Sequence, residues 1–212
     1  MKHGFSLIEL LVVVAVLALL AVLAGPPILA AVERGRVGRV VADLRTAEVA
    51  LEAYRTDHGQ YPPVSVSCVA ADKDQTLQLP RELADGGYLP KNTRTATSTL
   101  LEDPFHPGNT YKYAAPEQYW LNGAKMNERF PVWVPGDFPS CRATGGKADG
   151  SPNSPLAWAV WSQGPRPQMT KALNYKAPLA AATWYVRTGD HGVIARYKAR
   201  DGATWSTLRG LP

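Results

Sequence analysis

The chain has few of the residues that carry chemistry. In 212 residues there are two cysteines, Cys68 and Cys141, and neither has a second ligand at C-x-x-C spacing, so a zinc or redox motif is not on offer. It has no nucleophile elbow, no glycine-rich phosphate loop before a helix, and no H-E-x-x-H. His58, His106 and His191 stand far apart and read as surface or turn residues, His106 lying between Phe105 and Pro107. Catalysis therefore has no positive support. A dense Lys/Arg block is also missing: the net charge of +5 is spread along the chain, so no nucleic-acid partner is expected.

The chain does have a long apolar run. From Phe5 to Val32 nearly every residue is apolar, with Ser6 and Glu9 the polar exceptions. As a helix this stretch measures about 42 Å at 1.5 Å per residue, more than the ~30 Å of a bilayer's hydrocarbon. It is long enough to cross. Glu9 is the anomaly, because a carboxylate at the bilayer centre costs about 2.5–3.5 kcal/mol on insertion scales. An ordinary secretory signal, cut before Gly25 after Val22 and Ala24, is the rival reading. It gives Glu9 no purpose, and Pro26 follows the cut almost at once. Arg34, Arg36 and Arg39 follow the run while Lys2 alone precedes it, which conflicts with the positive-inside rule if the N-terminus is cytoplasmic.

After Gly25-Pro26-Pro27, where two missing donors predict a kink or locally unwound segment, the pattern becomes amphipathic. Val37, Val40, Val41, Leu44, Ala47, Leu51 and Tyr54 recur at three- and four-residue spacing, with Arg36, Arg39, Asp43, Arg45, Glu48, Glu52 and Arg55 expected on the remaining surface. Gly59 suits a C-terminal cap, and Pro62 and Pro63 forbid continuation. Short aromatic or β-branched runs then predict strands at 111–114, 118–121, 132–134, 158–161, 184–186 and 193–197, with antiparallel pairing. "RELADGGYLP" predicts one short helix ending near Gly86. Residues 114–157 read as an insertion, either a loop or an excursion carrying short strands. The six tryptophans read as core and sheet packing, with a stacking platform for sugars or bases as the alternative.

Gly4-Phe5-Ser6-Leu7-Ile8-Glu9-Leu10 resembles the class III signal of type IV pilins and type II secretion pseudopilins. "VVADLRTAEVALEAYRTDHGQYPP" resembles the second half of the major pseudopilin helix. "EDPFHPGNTYKY" and "WAVWSQGPRP" are similar to that family's Asp-Pro-aromatic turn and Ser-x-Gly-Pro turn. The resemblance covers 4–63 and the islands 102–113 and 158–165. It implies an α+β, pilin-like fold: a long N-terminal helix, half transmembrane and half amphipathic, packed on a small antiparallel head with long loops. It divides the chain into a leader (1–4), an assembly helix (5–32), an amphipathic helix (33–60) and a periplasmic head (61–212).

The resemblance further implies cleavage after Gly4 by a prepilin peptidase and N-methylation of Phe5. Glu9 would meet the α-amine of a neighbour during polymerisation, and Pro26 would mark where the helix can melt. The partners implied are like subunits, other pseudopilins and the inner-membrane assembly platform, in a pseudopilus that supports protein secretion. A minor type IV pilin with an adhesive or DNA-uptake head is the alternative. In an exported head Cys68 and Cys141 could pair, closing a loop of about seventy residues at a gain of roughly 4 kcal/mol, or stay as two buried thiols. One departure stands out. Arg166 and Pro167 follow Ser162-Gln163-Gly164-Pro165 where the family has Asp and Gly, and a guanidinium cannot ligate a cation, so the family calcium site is expected to be absent and no cofactor is expected.

Overall fold

A computed structural model describes residues 6–67, 76–92, 99–134, 146–165 and 183–208, with side chains 22–26 left aside. Gly4, Phe5, Cys68, Cys141 and Arg166 lie outside the described residues, as does the side chain of Pro26.

Helix α1 runs from Leu7 to His58, 52 residues, about 78 Å at 1.5 Å per residue. Its start is set locally: the backbone N–H of Ser6 donates to the Glu9 carboxylate at 3.0 Å, which satisfies one orphan donor of the first turn. Its end is equally local. Gly59 takes the left-handed conformation at φ 73° and its N–H closes on the Arg55 carbonyl at 2.8 Å. The unwound segment expected at 25–27 is not present, since the chain stays helical through it. Two consecutive prolines delete two donors of the ladder, and the intact turns on either side hold the backbone in register.

The second half of α1 packs as its spacing predicts. Val37, Val40, Leu44, Ala47, Leu51 and Tyr54 are buried, Ala50 joins them, and Val41 is half-buried. This stripe lies against β7 (Leu156–Ser162) and β8 (Ile194–Ala199). All seven residues of β7 are buried, so its sequence shows an apolar run without alternation.

Around β7 a four-stranded antiparallel sheet forms in the order β2-β7-β8-β9, with β2 at Lys112–Ala114 and β9 at Thr204–Ser206. Tyr113 opposes Val160, and Tyr197 lies between Ala159 and Trp205. A second sheet, β1-β3-β4, joins Val64–Val66, Gln118–Leu121 and Ala124–Arg129. Here the all-antiparallel expectation needs correction: β1 pairs with β3 in parallel, Val64 opposite Tyr119. The chain between them is long enough for the crossover, because it carries α2 (Arg81–Asp85, capped at Gly86) and β2.

Segment 114–157 bears strands among its described residues. Asn122 and Gly123, both at positive φ, turn β3 into β4, and β5 (Val132–Val134) pairs with β6 (Lys147–Asp149). Asn-Gly is a direct hairpin signal. The strand expected at 184–186 is reduced to one bridge between Trp184 and Val193, because the chain turns at once through residues 187–189. Trp158 and Trp161 are buried in the sheet, while Trp120 and Trp205 keep 39% and 37% of their surface.

Candidate assembly surface

The two halves of α1 differ in what covers them. From Leu7 to Leu20 the apolar side chains all stand exposed, and so do Ile28, Leu29 and Val32; Leu7 keeps 80% of its surface. A contiguous apolar face of this length is far beyond what a soluble monomer leaves bare. Among the described residues no helix is long and apolar enough to cross a membrane. The apolar stretch with described side chains, Leu7–Ala21, measures about 22 Å.

The upper half is held by carboxylates. Every acidic residue of α1 beyond Glu9 accepts a hydrogen bond from the head. Glu33 takes the Tyr185 hydroxyl at 3.2 Å and the Gly189 N–H at 2.9 Å. Asp43 takes the Tyr111 hydroxyl at 2.8 Å. Glu48 takes Arg196 Nε at 2.5 Å and the Thr204 hydroxyl at 3.0 Å. Glu52 takes the Tyr61 hydroxyl at 3.0 Å and Trp158 Nε1 at 2.9 Å, and Asp57 takes the Tyr88 hydroxyl at 2.6 Å.

This corrects the expectation that Asp43, Glu48 and Glu52 sit on the solvated surface with the arginines. The acids flank the buried stripe and point at donors, while Arg34, Arg36 and Arg45 are exposed. Burial, and then the nearby Glu52 charge, pushes the Tyr61 phenol up to about 12. Burial and the Asp43 carboxylate push Tyr111 further in the same direction.

The two sequence islands meet on a carboxylate of the head. Asp103, 2% exposed, accepts the N–H of Phe105 at 2.9 Å and of Gln163 at 3.2 Å. Burial raises its pKa, against the pull of Ser162, Phe105 and Gln163 as donors. Gly164 has no alternative at its place: at φ 73° a Cβ would lie 1.6 Å from the Gly192 carbonyl oxygen. Asp103 and the Ser162–Pro165 turn therefore lock the head's strands together. Among the described residues no three His, Cys, Asp or Glu side chains converge. His58 stacks on Tyr54 at 4.0 Å, which gives it a packing place at the end of α1.

Glu9 is where the sequence singles it out, one turn into the bare half and joined to the Ser6 N–H. The carboxylate ladder was missed by sequence reading; its only signal is that acids recur beside the apolar stripe.

A long helix, sheathed by an α+β head over one half and naked over the other, defines a pilin-like subunit. The prokaryotic N-terminal methylation motif matches residues 1–25. The chain is similar to type II secretion system core protein G of Aeromonas hydrophila, 32% identical over 119 residues, which are 56% of this chain and 76% of that protein. It is also similar to the same protein of Vibrio cholerae (33% over 115 residues, 54% and 72%) and of Pseudomonas aeruginosa (33% over 116 residues, 54% and 75%). No solved structure matches the chain at comparable significance. The chain belongs to the type II secretion system core protein G family, and its function is that of a pseudopilin.

Proposed function

We propose that the chain is made as a single-pass inner-membrane precursor with its head in the periplasm, is trimmed after Gly4 by prepilin peptidase, and polymerises through the bare half of α1. The observation that carries this is the contrast along α1: among the described side chains Leu7 to Leu20, Ile28, Leu29 and Val32 stand exposed, whereas from Val37 to Tyr54 the stripe is buried under the head, with Val41 half-buried. Only lipid or other helices of the same kind satisfy a face of that composition. In the membrane the backbone is satisfied within the helix.

In the filament the charge on the N-terminal amine of Phe5 needs a partner, and the Glu9 carboxylate of an adjoining subunit supplies it. Pairing removes much of the cost of holding either charge alone in lipid, so correctly staggered subunits are favoured. The subunit contributes structure and no catalysis, works without a resident metal, and engages no nucleic acid. Its partners are copies of itself, other pseudopilins and the inner-membrane assembly platform.

N-terminal sequencing and mass measurement of the mature protein test the proposal. A methylated Phe5 is expected. A chain starting at Gly25 points to ordinary secretion and overturns it.

A further inference from the structure

An open groove of about 520 Å³ lies between the lower part of the head-covered helix and the turn after Asp103. Val32, Gly35, Arg36 and Arg39 line it from α1, and Glu102, Asp103, Pro104 and Pro107 from the turn. Its position, its charge and its mouth all need a reason.

Position comes first. A helix tilted by about 40° fits the ~42 Å apolar run into the ~30 Å of hydrocarbon and brings Val32 to its edge; Arg36 stands four residues past Val32, so about 6 Å along the axis. A headgroup layer is about 5–7 Å deep on each side of the hydrocarbon. Helical side chains lean toward the N-terminus, which here is toward the membrane, so Arg39 one turn higher also reaches into that layer.

Charge comes second. Arg36 has no hydrogen bond or ion pair among the described residues, and Arg39 is held by Asp43 at 3.4 Å. The two carboxylates of the lining already have donors, Asp103 two backbone amides and Glu102 the Asn92 Nδ2 at 3.3 Å; Asp43 divides its charge between Arg39 and the Tyr111 hydroxyl, and Glu33 takes Tyr185 and Gly189, which leaves Arg36 the cation without a counter-charge among the described residues. Last, a Cβ at Gly35 would meet nothing within 4 Å, so the mouth stands open. An arginine cluster beyond the apolar run also runs against the positive-inside rule, which makes it a feature in want of a function.

We propose that this groove holds the phosphate of an anionic phospholipid headgroup, with Arg36 as its main ligand and Arg39 as its second. A guanidinium matches the two free oxygens of a phosphodiester with parallel donors. The bound lipid fixes the height of the head above the membrane before a subunit is drawn into a filament. The inference rests on the membrane-anchored reading above.

The test uses the full chain in a nonionic detergent, with native mass spectrometry counting retained phosphatidylglycerol against phosphatidylcholine. Each arginine at a membrane surface is worth about fivefold in affinity. R36Q should lower phosphatidylglycerol retention by about fivefold, and R36Q/R39Q by roughly twenty-fivefold. R45Q, two turns further from the membrane, should retain as much as wild type. Gly35→Leu, which blocks the mouth with both arginines intact, should also lose the lipid, and it keeps the outcome readable if the arginine variants fold poorly. Undiminished retention in both R36Q/R39Q and Gly35→Leu overturns the proposal. So does displacement of the lipid by low-millimolar inorganic phosphate, which would mark a free-anion site. Alkaline extraction of cell membranes separates this from the anchoring: a chain released as soluble protein sinks the anchored reading, whereas a retained chain with unaltered lipid counts sinks the groove alone.

Discussion

Replacing Glu52 with alanine removes the centre of the helix–head joint. Its carboxylate accepts from Trp158 Nε1 at 2.9 Å and from the Tyr61 hydroxyl at 3.0 Å, and both donors belong to buried residues. A hydrogen bond to a charged group contributes about 1.5–3 kcal/mol, and a buried donor left alone costs about 1–3 kcal/mol. The two losses describe the same bonds from opposite sides, so they are not summed, and E52A should cost about 3–4 kcal/mol in all. For a chain of this size each kcal/mol is worth about 2–4 °C, which gives a fall in Tm of roughly 10 °C. Urea unfolding of the full chain at fixed detergent concentration, followed by tryptophan fluorescence, measures it. E52Q, which keeps an acceptor without the charge, should lose about 1 kcal/mol. A double-mutant cycle of E52A with W158F isolates the pairwise part, expected at about 1.5 kcal/mol. A cost for E52A under 1 kcal/mol, or a coupling within about 0.5 kcal/mol of zero, would show that the carboxylate ladder is decoration and that the apolar stripe alone holds the helix.

Further outcomes follow from the same contacts. Because Tyr61 is pushed up to about 12, and Tyr111 and Tyr113 are raised as well, the unfolded chain loses phenol protons first. Stability should be flat below pH ~10 and fall as the pH rises from there toward 12; urea midpoints at pH 8, 10 and 11 check this, and Y61F should fall less steeply than wild type. Gly164→Ala forces a Cβ onto the Gly192 carbonyl and should cost about 3 kcal/mol or more, read as loss of soluble folded protein in detergent. Gly38→Ala, with nothing within 4 Å of its Cβ in a helical stretch, should gain about 0.5–1 kcal/mol in the same urea assay. Glu9→Ala should leave membrane insertion intact and lower filament yield sharply; a normal yield of filaments speaks against the charge-pairing role.

Much of α1 was legible from sequence because what makes it a helix is local. The apolar stripe and the Gly59 stop both depend on neighbours three or four residues away. Strands at 118–121 and 132–134 were legible for the same reason, being short aromatic or β-branched runs between turns. β4 was not, since Ala124–Arg129 is polar and exposed almost throughout, and only the Asn122-Gly123 turn betrays it. At 25–27 the expected unwinding is not seen, because the chain stays helical through the two prolines. Of the motif, Ser6 to Leu10 lie among the described residues, and Glu9 does more than its spacing announced by accepting the Ser6 N–H.

The sequence by itself determined that this chain carries a long helix with a bare apolar end, a charge one turn into it, and a stripe ready for a head. The tertiary structure alone decided which face of that helix its acids would serve. Glu52 finds Trp158 across 106 residues and Glu48 finds Arg196 across 148, and it made β1 and β3 run parallel across a long crossover. The reason is one of range: helix periodicity is written in adjacent turns, whereas a hydrogen bond between distant segments exists only once the core has closed and taken water away from both partners.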